Sequence, residues 1–103
     1  MPKAYVMIHL EVTNEEGFSG FASKISGLLA EFGGKSLVGR DTVVSKLENQ
    51  VTHRQADVHA VFEFPDKESA LAWYNSDQYQ AIKPDRTNNT TNTYFAIVDG
   101  VSG

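Results

Sequence analysis

Cysteine is missing from this sequence altogether. Its absence removes disulfides, thiolate nucleophiles and cysteine-held metals together. No serine lies in a Gly-x-Ser-x-Gly elbow, so nucleophilic catalysis has little support. Basic residues are few and scattered: nine Lys and Arg against thirteen Asp and Glu, a net charge of −4. Phosphate backbones are bound by clustered Lys and Arg, so a nucleic-acid partner is not expected. Long apolar runs are absent too. The first stretch that could lengthen into one is broken by His9 and Glu11, far short of the ~20 residues of a membrane span. The N-terminus MPKAYVMIHLEV lacks the layout of a signal peptide. A soluble cytoplasmic protein is the expectation. The triplets NNT and NTT at Asn88 and Asn89 match a glycosylation acceptor, but in this setting they mark a polar loop.

What is present is ordinary for a folded chain: 103 residues, 41% hydrophobic and 21% charged. This length supports one domain, residues 1–103, with no second core. Residues 4–12 alternate, with Val6, Ile8, Leu10 and Val12 on one face and Tyr5, Met7, His9 and Glu11 on the other. Such period-two alternation is a strand with one dry and one mixed face. Thr13 and Glu16 then form a capping box. Phe18, Phe21, Ala22, Ile25, Leu28, Leu29 and Phe32 recur at three- and four-residue spacing and draw the stripe of an amphipathic helix. Gly33-Gly34 ends that helix rather than cradling a phosphate. Residues 35–49 read as extended chain with a break near Gly39. Residues 57–64 alternate again. Asp66 caps a second helix, Ser76 caps a further turn through Tyr79 and Ile82, Pro84 and TNNTTN make a loop, and 93–98 form a last strand.

The order β-α-β-β-α-β predicts an α+β, ferredoxin-like fold: a four-stranded antiparallel sheet with the first and third strands adjacent. Two helices with one apolar stripe each cover one sheet face only. The other face, carrying Tyr5, Met7, His9 and Glu11 beside His59, Val61 and Glu63, is too apolar for plain surface and too polar for a dry core. A second subunit, a ligand, or both would occupy it.

The stretch AWYNSDQYQAIKPDR, read with FEFPDKESALAWYNS before it and FGGKSLV after the first helix, resembles the domain of unknown function 1330 family. The likeness runs from about Tyr5 to Gly100, with Trp-Tyr-Asn-Ser its most specific block. That family belongs to the dimeric α+β barrel superfamily. The resemblance implies two subunits packed sheet against sheet, with a cleft in each half, and implies no particular reaction. Better-known superfamily members include cofactor-free quinone-forming monooxygenases, muconolactone isomerases and haem-handling enzymes. Where the family often has Leu-Val-Arg-Gly-Gly, this chain has Leu37-Val38-Gly39-Arg40-Asp41. A one-residue displacement along a strand exchanges sheet faces, so Arg40 is not expected to stand in for the family's arginine. The family's Ser-Pro-Glu-Tyr is Ser76-Asp77-Gln78-Tyr79 here, a change of little consequence at the start of a helical turn.

Candidate site residues follow from the mixed face and the aromatic block. His9 and His59 share that face, with Glu11 and Glu63 expected near them. A histidine backed by a carboxylate is a general base near neutral pH, and two histidines with a carboxylate also make a metal set. A His–Glu hydrogen bond within a dimer interface accounts for the same residues. No metal signature is present, and no metal or cofactor is predicted. Trp73, Tyr74 and Tyr79 either wall an aromatic pocket or glue the second helix to the sheet. Arg86 either holds a ligand carboxylate or bridges to an acidic side chain. Tyr5 and Met7 complete the ligand-facing set. His53, in the polar stretch QVTHRQ, has no special task. The sequence thus points to a homodimer that binds a small planar or carboxylated molecule, with or without turning it over. The alternative is a structural dimer.

Overall fold

The computed structural model describes residues 2–40, 42–48 and 58–101. His53 and Asp57 lie outside the described residues. Seven elements run in the order β1 (Ala4–Val12), α1 (Glu15–Glu31), β2 (Lys35–Val38), β3 (Val58–Phe64), α2 (Lys67–Tyr74), α3 (Asp77–Thr87) and β4 (Thr90–Asp99). The sheet order is β2-β3-β1-β4, and every neighbouring pair is antiparallel. This is the ferredoxin-like arrangement, with β1 and β3 side by side. None of the helices among the described residues is long and apolar enough to cross a membrane.

Alternation places the core as the pattern requires. Val6, Ile8 and Leu10 of β1 and Val58, Ala60, Phe62 and Phe64 of β3 are buried under the helices. From α1, Phe18, Phe21, Ile25, Leu28 and Leu29 meet them. The block that ends α2 and opens α3 supplies the rest. Trp73 is completely buried, its ring 5.5 Å from that of Phe64 and 4.6 Å from that of Tyr79. Aromatic pairs at these separations add about 0.5–1.5 kcal/mol each beyond the area they bury.

Helix α1 starts one residue later than the capping box suggests. Asn14 is the cap, its Oδ1 accepting from the Gly17 N–H at 3.4 Å. Thr13 is instead drawn into the strand end, its backbone N–H donating to the Asn89 carbonyl at 2.8 Å. At the other end Gly33 takes a positive φ of 79°, a conformation that costs a residue with a Cβ. Gly34 follows because a Cβ there would lie 2.7 Å from the Phe64 ring.

The C-terminal third is more regular than the composition of PDRTNNTTN suggests. Pro84 sits inside α3 rather than in a loop. Proline removes one hydrogen bond from a helix interior, but Ser76 caps α3, donating to the Trp73 carbonyl and accepting from the Tyr79 N–H. The turn beyond Pro84 also buries Arg86. Strand β4 begins at Thr90, not 93, because a bulge absorbs the extra residue: the β1–β4 register shifts between His9 and Glu11. Asn92 takes a left-handed φ of 51° there, where asparagine is favoured. Its Nδ2 donates to Glu11 Oε2 at 2.6 Å.

Candidate ligand-binding site

The residues singled out from the sequence divide between the two faces of the sheet. On the open face His9 and His59 are direct partners across β1 and β3, with ring centroids 4.8 Å apart. Tyr94 of β4 flanks His9 at 6.3 Å. Tyr5 and Met7 share that face in the same register. The expected carboxylates each engage another group. Glu11 holds the Asn92 bulge. Glu63 pairs across from Tyr5, four residues along β3 from His59, or roughly 13 Å. There it accepts from Lys3 at 3.4 Å and faces Lys35 at 3.5 Å. Burial pushes the Glu63 pKa up, but the two lysines outweigh it and hold the carboxyl below its ordinary value.

Arg86 does not join the histidines. It lies on the helix side of the sheet, only 5% exposed, as do the fully buried Trp73 and Tyr79. An arrangement with His9, His59 and Arg86 lining one site is therefore excluded. The reason is legible in the helix geometry: Tyr79 and Arg86 are seven residues apart in α3, which puts them on one helical face, and that face is the one that packs. Trp73 and Tyr79 act as glue between α2, α3 and the sheet.

Between α1 and the sheet the packing leaves a cavity of about 320 Å³. Phe18, Phe21, Ile25 and Leu29 of α1 form its roof, and Ile8, Leu10, Ala60 and Phe62 its floor. Four polar side chains reach it: Ser26, Ser36, Arg40 and Arg86. Concave, mostly apolar spaces of ~300–1,000 Å³ with a few convergent polar groups are what small-molecule sites look like.

The two arginines are in different electrical states. Arg40 is compensated: its Nη2 donates to both oxygens of Glu15 at 2.6 Å, and its guanidinium lies 4.9 Å over the Phe18 ring. Arg86 has no acidic partner among the described residues. Its guanidinium stacks 4.8 Å over Phe95, and its Nε is buried without a hydrogen-bond acceptor. The buried Tyr79 hydroxyl lies beside Arg86: burial raises its pKa, and the charge and hydrogen bonding of the Arg86 side chain offset only part of that rise. A buried cation without a counter-charge is costly to a fold that gains nothing from it.

Arg40 arrives in the cavity by a route the strand pattern did not show. The β2–β3 register shifts between Ser36 and Val38. Ser36 is the partner of Phe62 and faces the helices, whereas Val38 is the partner of Val61 on the open face. The chain then turns at Gly39, whose carbonyl accepts from the backbone N–H and hydroxyl of Thr42. The turn, not strand alternation, aims Arg40 at Glu15. Ser26 and Ser36 gave no sequence signal at all, since isolated serines on a helix and a strand are commonplace.

A family model for the domain of unknown function DUF1330 matches residues 3–101. The chain belongs to the DUF1330 family. Solved structures similar to this DUF1330 chain share its fold at very low identity. A protein of unknown function from Rhodopseudomonas palustris has a TM-score of 0.77 at 9% identity, over 99% of this chain and 85% of that one. A mutant form of SnoaB, a cofactor-independent oxygenase from Streptomyces nogalater, has 0.70 at 6% identity, over 100% and 97%. A dimeric protein of unknown function with a ferredoxin-like fold, from Bacteroides fragilis, has 0.55 at 8% identity, over 95% and 96%. No curated protein matches this DUF1330 chain in sequence.

Proposed function

We propose that the protein is a homodimer that binds a small, largely apolar organic anion in the cavity between α1 and the sheet. The observation that carries this reading is Arg86: a buried guanidinium that lines an apolar cavity and has no carboxylate partner among the described residues. A ligand carboxylate or enolate would supply the missing charge through a charge-assisted hydrogen bond. Dimerisation is supported by the open sheet face, where Met7, Val61, Ala96 and the half-exposed Val98 and Tyr94 surround the histidines, and by the dimeric neighbour from B. fragilis. In such a dimer His9 and His59 become interface residues.

Binding is favoured over catalysis because no His, Asp or Glu is among the described residues that line the cavity. General acid–base work needs a group that titrates near the working pH. A cofactor-independent oxygenase shares this fold. A reaction of that kind here would take its reactivity from the ligand, with Arg86 stabilising developing negative charge. No cofactor enters the proposal.

Thermal shift against a panel of organic acids and their neutral amides tests the site. The acids should raise the melting temperature, the amides should not, and Arg86→Gln should respond to neither. Equal responses to acid and amide, or an unchanged response in Arg86→Gln, would refute the anion site. Light scattering at micromolar concentration should give twice the 11.4 kDa of one chain. A particle of one chain's mass would refute the dimer.

A further inference from the structure

We infer that the ligand is an aromatic monocarboxylate, and that Glu15 sets this single-charge preference by holding Arg40. The inference rests on the anion-site reading above and adds the ligand's charge, shape and size.

The charge follows from the pairing of the two arginines. Both line the cavity, but Glu15 already engages Arg40 through both of its carboxylate oxygens. Among the described residues, the cavity therefore presents one positive charge without a carboxylate partner, at Arg86. A ligand with a second negative group must either displace Glu15 or bury a charge without a partner, and the latter is strongly unfavourable. The kind of anion follows from the unpaired atom. Arg86 Nε is buried without an acceptor. A guanidinium is donor only, so the missing group is an acceptor. A carboxylate presents several lone-pair positions and matches the planar fork of a guanidinium.

Shape and size come from the walls. Phe18 and Phe21, with ring centroids 5.8 Å apart, overhang Phe62 across the space between helix and sheet. Aromatic walls favour a flat ring, offset-stacked or edge-on, over a flexible chain that must lose rotamer freedom to fit. The volume of 320 Å³ is about twice the ~150 Å³ of an apolar cavity that holds benzene. A molecule of benzoate's size is accommodated, with room for a second fused ring. Ser26 and Ser36 offer hydroxyls to a ring substituent.

Glu15 is exposed, with a side chain 68% accessible, and Arg40 is partly so at 27%. Glu15 is thus open to substitution without touching the core. Calorimetric titration would use benzoate, benzamide, terephthalate and hexanoate on the wild type, on Glu15→Gln, and on the double variant Glu15→Gln/Arg40→Gln. The wild type should bind benzoate about tenfold or more tighter than each of the other three, the factor expected of one well-made charge-assisted contact. Glu15→Gln should free the Arg40 charge and improve terephthalate by about tenfold while leaving benzoate nearly unchanged. The double variant should lose that gain, which a merely structural role for Glu15 would not produce.

Terephthalate or hexanoate binding the wild type as well as benzoate does would overturn the aromatic monoacid. So would a Glu15→Gln variant with an unchanged preference, or no heat with benzoate up to about 10 mM, where even millimolar affinities register. In the first two cases the anion site itself survives if binding is still lost in Arg86→Gln that is folded by circular dichroism. Benzamide binding as tightly as benzoate, or benzoate binding that persists in folded Arg86→Gln, would remove both proposals together.

Discussion

Replacing Arg86 by methionine separates a residue kept for a ligand from one kept for the fold. In the ligand-free chain Arg86 is 5% exposed, lies over Phe95 and has no acidic partner among the described residues. Burying an unpaired ion costs several kcal/mol. Only Nε is both shut off and unpartnered, so only part of that penalty applies. The stack on Phe95 returns about 0.5–2 kcal/mol. Methionine keeps the unbranched length and polarisable packing without the charge. The balance predicts that Arg86→Met stabilises the ligand-free protein by about 1–2 kcal/mol, within the range seen when buried charges are replaced by apolar side chains. For a chain of this size that is a rise in Tm of roughly 5–15 °C. Urea melts followed by the near-ultraviolet signal of the buried Trp73 should show the same shift in midpoint with the slope unchanged. A bound acid at ~100-fold over its Kd should stabilise the wild type by about 2.7 kcal/mol and the variant not at all. A ligand-free Arg86→Met that is less stable than the wild type by 1 kcal/mol or more (roughly the net worth of a single hydrogen bond) would refute the reasoning. Arg86 would then be a structural cation whose partner supports the fold.

The remaining expectations concern the fold. Phe64 is fully buried against Trp73, so Phe64→Ala should cost about 3–5 kcal/mol. Lys24 only meets Asp85 at 3.5 Å on the surface, so Lys24→Ala should change stability by less than about 0.5 kcal/mol; equal effects in urea melts would contradict the packing described. Asp66 caps α2 by accepting the Ser69 backbone N–H at 2.8 Å, which holds its pKa below the ordinary value. A depressed folded-state pKa adds stability that is fully present above the unfolded value of about 3.9 and is lost as pH falls through the folded one. Asp66→Asn keeps the acceptor but cannot titrate, so its melting temperature should fall less steeply below pH 4 than the wild type's, and parallel acid profiles would argue against this role.

The sequence by itself determined the order of the strands and helices and the sidedness of β1 and β3. Val6, Ile8 and Leu10 could be assigned to the core and His9 and His59 to the opposite face, because period-two alternation and a single helical stripe are local properties. The order of elements then left few topologies, and the observed β2-β3-β1-β4 sheet is the one it implied. The site was different, because it depends on which face a helix turns inward and on where strands slip by one residue. The loop-like composition around Pro84 hid the turn that buries Arg86, and a bulge with a turn after Val38, not alternation, brings Arg40 back to Glu15. Nor could spacing along the chain reveal that Glu15 neutralises one arginine and that no described carboxylate reaches the other. Charge compensation is a property of three-dimensional neighbours: Glu15 and Arg40 are 25 residues apart, and only packing α1 against the sheet made one of them the other's partner and left Arg86 without one.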